Sequence, residues 1–475
     1  MVRTEYKWVA LTVTSVGAFM AAMDASVVVV ALPTLLHDLD ASLLHGVWII
    51  TGYRLALTIL LVAIGRVADM FGRVRLYVLG FAFFTFSSAL CGLSQNGDQL
   101  VFFRLLQGVG GALIVVNSVA LIADAFPPSQ LGTGIGLNFM AFNLGAIIGY
   151  TLSGVIVALA GWRFIFLINV PIGVFGTFWA HLRLRELRPN VREKFDYLGA
   201  LLYSVSLTLI LVALSFEDLT SPLASILLTS GVAILLLFIL VERMVAHPTL
   251  DLTLFKIRLF TAGNLASLLN SLAFNSQPFL LTLYFQLVKG EDPLRTGLLL
   301  IPLEVTFLIF GPLSGRLSDI YGARGLSSLG LLLSGVALLL LGTVDEKADY
   351  TTITLILIVS GVGRGLFTSP NSSSVMSSVP AHCRGVANGV RTTIVQTGMV
   401  VSIPLSLVFM TLGMPYHRLT QLTSGASAMI PQDIPIFLTA IHHAFNIIAI
   451  LTFAAILPSI LRGPKPNFSS VDEAS

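Results

Sequence analysis

The chain has 475 residues, 55% of them hydrophobic, 11% charged, with a mean hydropathy of +0.90. Set against the roughly 25% charged residues of a soluble domain, this excludes a water-soluble globular protein. The 27 basic and 24 acidic residues leave a net charge of +3 without any dense basic surface, which excludes nucleic-acid binding.

Apolar runs between polar breaks predict spans near 8–32, 44–65, 76–94, 98–122, 133–159, 164–182 and 197–216. Seven more follow near 223–241, 259–287, 296–315, 325–343, 351–376, 386–412 and 434–461. Each is close to the ~20 residues a helix needs to cross a bilayer, and none has the ten-residue alternation of barrel strands. The expectation is an all-α membrane protein with 14 transmembrane helices. The first span contains Asp24 and no small-residue cleavage pattern, so it reads as a retained helix rather than a signal peptide. Cys91 and Cys383 fall at opposite faces of this map, which excludes a disulfide between them.

Eighteen of the 27 lysines and arginines lie in loops on the side of the N-terminus. Arg163, Lys289, Arg295, Lys347 and Arg418 lie opposite, and Arg54, Arg104, Arg364 and Arg391 lie inside spans. The positive-inside rule therefore predicts that both termini are cytoplasmic, as an even span number requires, in a multi-pass protein of the cytoplasmic (inner) cell membrane.

The sequence also repeats itself. Gly65-Arg66-Val67-Ala68-Asp69-Met70-Phe71-Gly72 returns 250 residues later as Gly315-Arg316-Leu317-Ser318-Asp319-Ile320-Tyr321-Gly322. At an offset of 253, Gly108-Val109-Gly110 matches Gly361-Val362-Gly363, and Gly132, Gly136, Asn143 and Gly145 match Gly385, Gly389, Gln396 and Gly398. The register predicts two duplicated six-helix bundles, 1–190 and 259–463, with an inserted helix pair over 191–258 and a cytoplasmic tail over 464–475. A parallel repeat of six-helix halves is a transporter architecture with its substrate site near the membrane midplane.

With these features in order, the sequence resembles the major facilitator superfamily, and within it the fourteen-helix drug:proton antiporter branch of the EmrB/QacA type. The residues that carry the resemblance are Asp24 to Pro33 (DASVVVVALP), Gly65 to Arg73 (GRVADMFGR), Arg104-Leu105-Leu106-Gln107-Gly108, Gly161 to Gly173 (GWRFIFLINVPIG) and Ser360 to Asn371 (SGVGRGLFTSPN). The resemblance implies the major facilitator fold and alternating access by two rocking bundles. It further implies export of small amphipathic compounds in exchange for protons, as in multidrug efflux and drug resistance. The sequence departs from the pattern in the fifth span, which reads Gly145, Gly149-Tyr150, Ser153-Gly154 where the branch has Gly-Pro and a later Gly-Gly. Val29 stands where the branch has Asn, Pro127-Pro128-Ser129-Gln130 lacks its basic residue, and Arg54 replaces an apolar residue. A lipid or anionic-metabolite carrier, or a facilitator without proton antiport, therefore stays open as the alternative.

Ionisable groups inside spans are costly and mark function by default. At 1.5 Å per residue, Asp24, Arg54, Arg104 and Glu304 lie about 12, 13, 9 and 12 Å from the outer helix ends, in one layer. Asp24 is expected to take up and release the coupling proton, with Arg104 tuning the acid; Glu304 is a second candidate for which a coupling and a purely structural role stand level. The competing expectation is a static Asp24–Arg54 ion pair that only neutralises two buried charges. Arg54, Arg104 and Arg364 outnumber the two acids, which favours anionic or zwitterionic amphiphiles over cations in a low-dielectric cavity. Asn117, Asn138, Asn143, Tyr150, Asn275, Gln277, Asn371 and Gln396 are candidate cavity residues, and the polar groups among them serve equally well as interhelical glue.

The Gly-rich loop motif, with Gly65, Asp69, Gly72 and Arg73, and its second copy, with Gly315, Asp319 and Gly322, is expected to form a cytoplasmic gate. Asp69 would cap the next helix or pair with an arginine. Gly145, Gly149 and Ser153, together with Gly154, form a small-residue stripe for close helix packing. Gly108-Val109-Gly110 follows no strand, so it reads as packing and not as a dinucleotide loop. Adjacent His442 and His443 point to different faces, and His382-Cys383 lies in a loop without a partner acid, so neither a metal site nor a nucleophile is expected. The sequence holds no phosphate-cradling loop with its lysine. No enzyme activity and no cofactor are expected, the proton gradient being the energy source, and the partners expected are substrate, protons and membrane lipid around a monomer.

Overall fold

The computed structural model describes residues 2–127, 130–187, 196–216, 221–245, 250, 252–380, 384–423 and 430–463. Its elements are helical: α1 Val2–Asp38, α2 Leu43–Phe71, α3 Arg73–Gly92, α4 Gly97–Ala125, α5 Leu131–Ala160, α6 Phe164–Leu167, α7 Asn169–Arg183, α8 Tyr197–Leu214 and α9 Pro222–Glu242. There follow α10 Arg258–Phe274, α11 Ser276–Leu283, α12 Pro293–Tyr321, α13 Ala323–Leu341, α14 Tyr350–Ser377, α15 Arg384–Met410, α16 Tyr416–Thr423, α17 Asp433–Ala454 and α18 Ile456–Leu461.

Among the described residues, thirteen helices are long and apolar enough to cross a membrane, one fewer than the fourteen spans expected. The difference lies in the expected span 259–287, which is broken into α10, α11 and a π turn over 284–288. Pro278 has no amide to donate to the carbonyl four residues before it, so the ladder cannot run unbroken through this point. The break is sealed from α15. Asn275 Nδ2 donates to the carbonyl of Met399 at 3.1 Å, and the Ser276 amide donates to Ser402 Oγ at 2.9 Å. In a lipid setting no water is available to satisfy these groups, so packed side chains must do so.

The helices gather into two compact units. The first comprises Met1–Leu237, Pro278–Ile301 and Met414–Leu438; the second comprises Phe238–Gln277, Pro302–Gly413 and Thr439–Ser475. In the first, Val13, Met20, Tyr53, Tyr77, Phe81 and Phe84 form the centre of a core joining α1 to α4.

The repeat seen in the sequence recurs in the packing of each unit. In the first, a Cβ on Gly108 would lie 2.4 Å from the Tyr53 carbonyl oxygen and one on Gly110 would lie 2.5 Å from the Phe84 nitrogen. In the second, a Cβ on Gly361 would lie 2.3 Å from the Leu303 carbonyl oxygen and one on Gly363 would lie 2.6 Å from the Ser334 nitrogen. Tyr53 and Leu303, like Phe84 and Ser334, stand 250 residues apart, and the glycines 253. The same backbone-to-backbone approach of α4 onto α2 and α3 is thus repeated by α14 on α12 and α13. Gly108-Val109-Gly110 is helix packing.

Candidate functional site

In the first unit, α1 brings Asp24 and α4 brings Arg104 and Gln107 to one buried point; Asp24 and Arg104 are each 1% exposed. Arg104 and Gln107 share a face because residues three apart on a helix are neighbours. Arg104 Nη1 donates to Asp24 Oδ2 at 2.6 Å and to Gln107 Oε1 at 2.7 Å, while Gln107 Nε2 donates to Asp24 Oδ1 at 2.9 Å. Asn169 of α7 adds a third donor, its Nδ2 lying 2.8 Å from Asp24 Oδ1 and 3.1 Å from Ser88 Oγ. Arg104 Nε donates to the Ile49 carbonyl at 2.9 Å, and its guanidinium sits 4.5 Å from the centre of the Tyr53 ring.

This arrangement goes against the competing expectation of an Asp24–Arg54 pair: the arginine bonded to Asp24 is Arg104. Arg54 is half-buried and interacts electrostatically with Tyr150, Tyr53 and Arg104. A carboxylate taken out of water is tolerable only with such charge-assisted bonds on both oxygens. A proton arriving on Oδ2 would remove the acceptor that Arg104 uses, leaving the arginine to the Ile49 carbonyl, the Tyr53 ring and Gln107.

The second unit holds a looser pair. Arg364 Nη1 of α14 is 3.6 Å from Glu304 Oε1 of α12, longer than a hydrogen bond, with both residues buried. Arg364 Nη2 donates to Gln277 Oε1 at 3.0 Å, and Ser360 Oγ donates to the same oxygen at 3.0 Å. Gln277 stands 253 residues after Asp24, and Ser360 stands 253 after Gln107. The Asp24–Gln107 contact is therefore repeated as Gln277–Ser360, with an amide in place of the carboxylate. Glu304 in turn stands 250 residues after Arg54, so the repeat exchanges a base for an acid at that position.

Several polar residues proposed for the cavity spend their donors on backbone. Asn117 donates to the Leu113 carbonyl at 2.7 Å and Asn143 to the Phe139 carbonyl at 2.8 Å, each one turn back on its own helix. Asn371 joins α14 to α10 through the Gly263 carbonyl at 3.0 Å and Ser267 Oγ at 2.8 Å. With Asn275 on Met399, these two serve as interhelical glue. Asn138 and Tyr150 are buried, and Gln396 is half-buried.

The small-residue stripe seats α5 on α1 in a four-residue register. A Cβ on Gly145 would lie 2.3 Å from the Phe19 carbonyl oxygen and one on Gly149 2.7 Å from that of Met23; Ser153 Oγ donates to the Val27 carbonyl at 2.7 Å. Gly154 faces another way: a Cβ there would lie 2.1 Å from Leu294 Cα.

At the loop motif, Gly65 and Asp69 lie in the last turns of α2, and the side chain of Asp69 is not among those described. Gly72 has φ +102° and Gly322 φ +80°, so both copies turn through the left-handed region that glycine alone enters without strain. Glu186 caps α3, its two carboxylate oxygens accepting the amides of Arg73 at 3.0 Å and Val74 at 3.1 Å. Arg73 Nη1 donates to Asp124 Oδ2 at 2.7 Å. In the second copy a Cβ on Gly315 would meet Ser369 Oγ at 2.7 Å, and Asp319 is exposed. Sequence reasoning missed Gln107, Asn169, Asp124 and Glu186 as site residues. The three-residue spacing from Arg104 was a usable signal for Gln107, whereas Glu186, 113 residues from the amide it caps, gave none.

Among the described residues no group of three or more metal-ligating side chains gathers at one place. The family described as Major Facilitator Superfamily matches residues 14–403 and, in a second match, 263–467. The riboflavin transporter RibZ of Clostridioides difficile (strain 630) is 31% identical over 82% of this chain and 85% of its own length. A probable actinorhodin transporter of Streptomyces coelicolor is 33% identical over 84% of this chain and 71% of its own. The fold is shared with a bacterial homologue of the human lysosomal transporter Spinster, solved inward-facing and occupied, at a TM-score of 0.70 and 15% identity, covering 95% of this chain and 96% of that one.

Proposed function

Because this chain belongs to the major facilitator superfamily, we propose that it exports a small amphipathic compound across the cell membrane in exchange for protons, by alternating access, with Asp24 as the coupling acid. That it is a multi-pass membrane transporter and not an enzyme follows from the family itself. The observation that carries the proton reading is the buried Asp24–Arg104 pair, a 2.6 Å contact between two helices that protonation of the acid would break. Relatives named as transporters of riboflavin and of actinorhodin support a small-molecule substrate. The charge distribution of the loops supports cytoplasmic termini, and the sequence motifs support the fourteen-helix drug:proton antiporter branch.

A second reading is favoured by a specific observation. Asp24 is held by three donors at 2.6–2.9 Å, as a purely structural carboxylate would be, and a carrier of lipids or anionic metabolites without antiport is consistent with that.

The test is proton flux in reconstituted vesicles under an imposed pH gradient, comparing the parent with Asp24→Asn as riboflavin and a panel of anionic and cationic amphiphiles are added. Substrate-dependent proton movement that disappears in the variant is the expected result. Substrate movement with no proton flux would replace antiport by facilitation.

A further inference from the structure

The amide nitrogen of Gln277 is the feature that the proton-coupling reading leaves unexplained. Gln277 is 2% exposed, and its Nε2 has no hydrogen-bond partner among the described residues. Its orientation is fixed by chemistry. Oε1 faces Arg364 and Ser360, both donors, and turning the amide over would set NH2 against a guanidinium. The amide N–H groups are therefore committed to a direction in which the described residues offer no acceptor. Leaving such a donor unmet in a buried site is costly, and a native structure that keeps one needs a reason.

The internal repeat sharpens the question. At the corresponding position of the first half stands Asp24, which accepts from Arg104 and Gln107 and offers no donor. Gln277 keeps the acceptor role toward an arginine and adds a donor that a carboxylate lacks. Beside it, Arg364 Nη1 stands 3.6 Å from Glu304 Oε1, whereas Arg104 Nη1 stands 2.6 Å from Asp24 Oδ2. One half thus has a closed ion pair, and the other a loose pair next to an unmet donor.

We propose that Gln277, Arg364 and Glu304 form a subsite for a carboxylate on the transported amphiphile. One substrate oxygen accepts from Gln277 Nε2, and Arg364 exchanges its long contact with Glu304 for the substrate carboxylate. Glu304 acts as the internal competitor that holds the arginine when substrate is absent. This rests on the reading of the chain as a transporter of amphipathic compounds and assigns the substrate group recognised in the second unit.

The test is dye binding to the purified protein in lipid nanodiscs, followed by fluorescence polarisation, with rhodamine 110, which carries a carboxylate, and rhodamine 123, its methyl ester. The parent is expected to bind rhodamine 110 about tenfold more tightly. Gln277→Leu is expected to erase that preference while leaving rhodamine 123 binding in place, which also shows that the variant is folded. Gln277→Glu, which restores the carboxylate found in the first half, should exclude rhodamine 110 altogether, and Glu304→Gln should tighten its binding several-fold. Equal binding of the two dyes by the parent, binding of neither, or a preference that survives Gln277→Leu would overturn the proposal. Because binding is read without a proton gradient, loss of antiport in the vesicle assay would leave this result standing, and the reverse also holds.

Discussion

Arg104 donates to Asp24 at 2.6 Å across the α1–α4 interface, with both residues 1% exposed and both carboxylate oxygens occupied. Replacing the acid alone leaves a buried guanidinium without its counter-charge. Asp24→Asn is expected to lower stability by about 3–5 kcal/mol, and the double change Asp24→Asn with Arg104→Gln by clearly less than the sum of the two single changes. Thermal unfolding of the four proteins in detergent would give the coupling; additive effects would mean that the pair is not an energetic unit.

The glycine register gives a second expectation with an internal control. Gly108→Ala, Gly361→Ala and Gly145→Ala each drive a methyl group to within 2.4 Å of a backbone carbonyl oxygen. Each is expected to cost about 1–3 kcal/mol through helix displacement. Gly136 and Gly389, also 253 residues apart, have nothing within 4 Å of a new Cβ, so alanine there should leave the melting temperature unchanged or raised.

Gly72 and Gly322 separate backbone strain from crowding. Gly322→Ala meets nothing within 4 Å and pays only for its positive φ, about 1–2 kcal/mol. Gly72→Ala pays the same and also presses against Glu186 Oε2 at 2.9 Å, beneath the two amides that this carboxylate caps. The expected order of melting temperatures is parent, then Gly322→Ala, then Gly72→Ala. Glu186→Ala alone should cost about 1 kcal/mol, the usual value of a lost cap.

Ser402 closes the broken helix from outside. Its Oγ accepts the Ser276 amide at 2.9 Å and donates to the Leu272 carbonyl at 2.5 Å. Ser402→Ala leaves a buried amide at the start of α11 without a partner, and a loss of about 1–3 kcal/mol is expected. Hydrogen exchange of the Ser276 amide is the sensitive readout: it should accelerate in Ser402→Ala and stay slow in Thr397→Ala, a hydroxyl change on the same helix.

The sequence by itself determined the membrane class, the helical architecture and the internal duplication. Apolar runs as long as a bilayer is thick leave no alternative to helices, and a glycine that admits a neighbouring backbone leaves its mark in both copies of a repeat. Asp24, Arg104 and Glu304 were legible for the same reason, since a charge inside an apolar run has to be answered by something. The tertiary structure alone decided what answers it. Depth along the helices, about 13 Å for Arg54 and about 9 Å for Arg104 against about 12 Å for Asp24, does not choose Arg104; the rotation of α4 against α1 selects it and brings Gln107 onto the second carboxylate oxygen, where α7 adds Asn169. The break of the span at Asn275, the capping of α3 by Glu186 and the unmet donor of Gln277 each depend on groups more than 80 residues apart in the chain. Hydropathy and spacing describe one helix at a time, whereas the orientation of a side chain around its helix axis becomes fixed only when a neighbour packs against it.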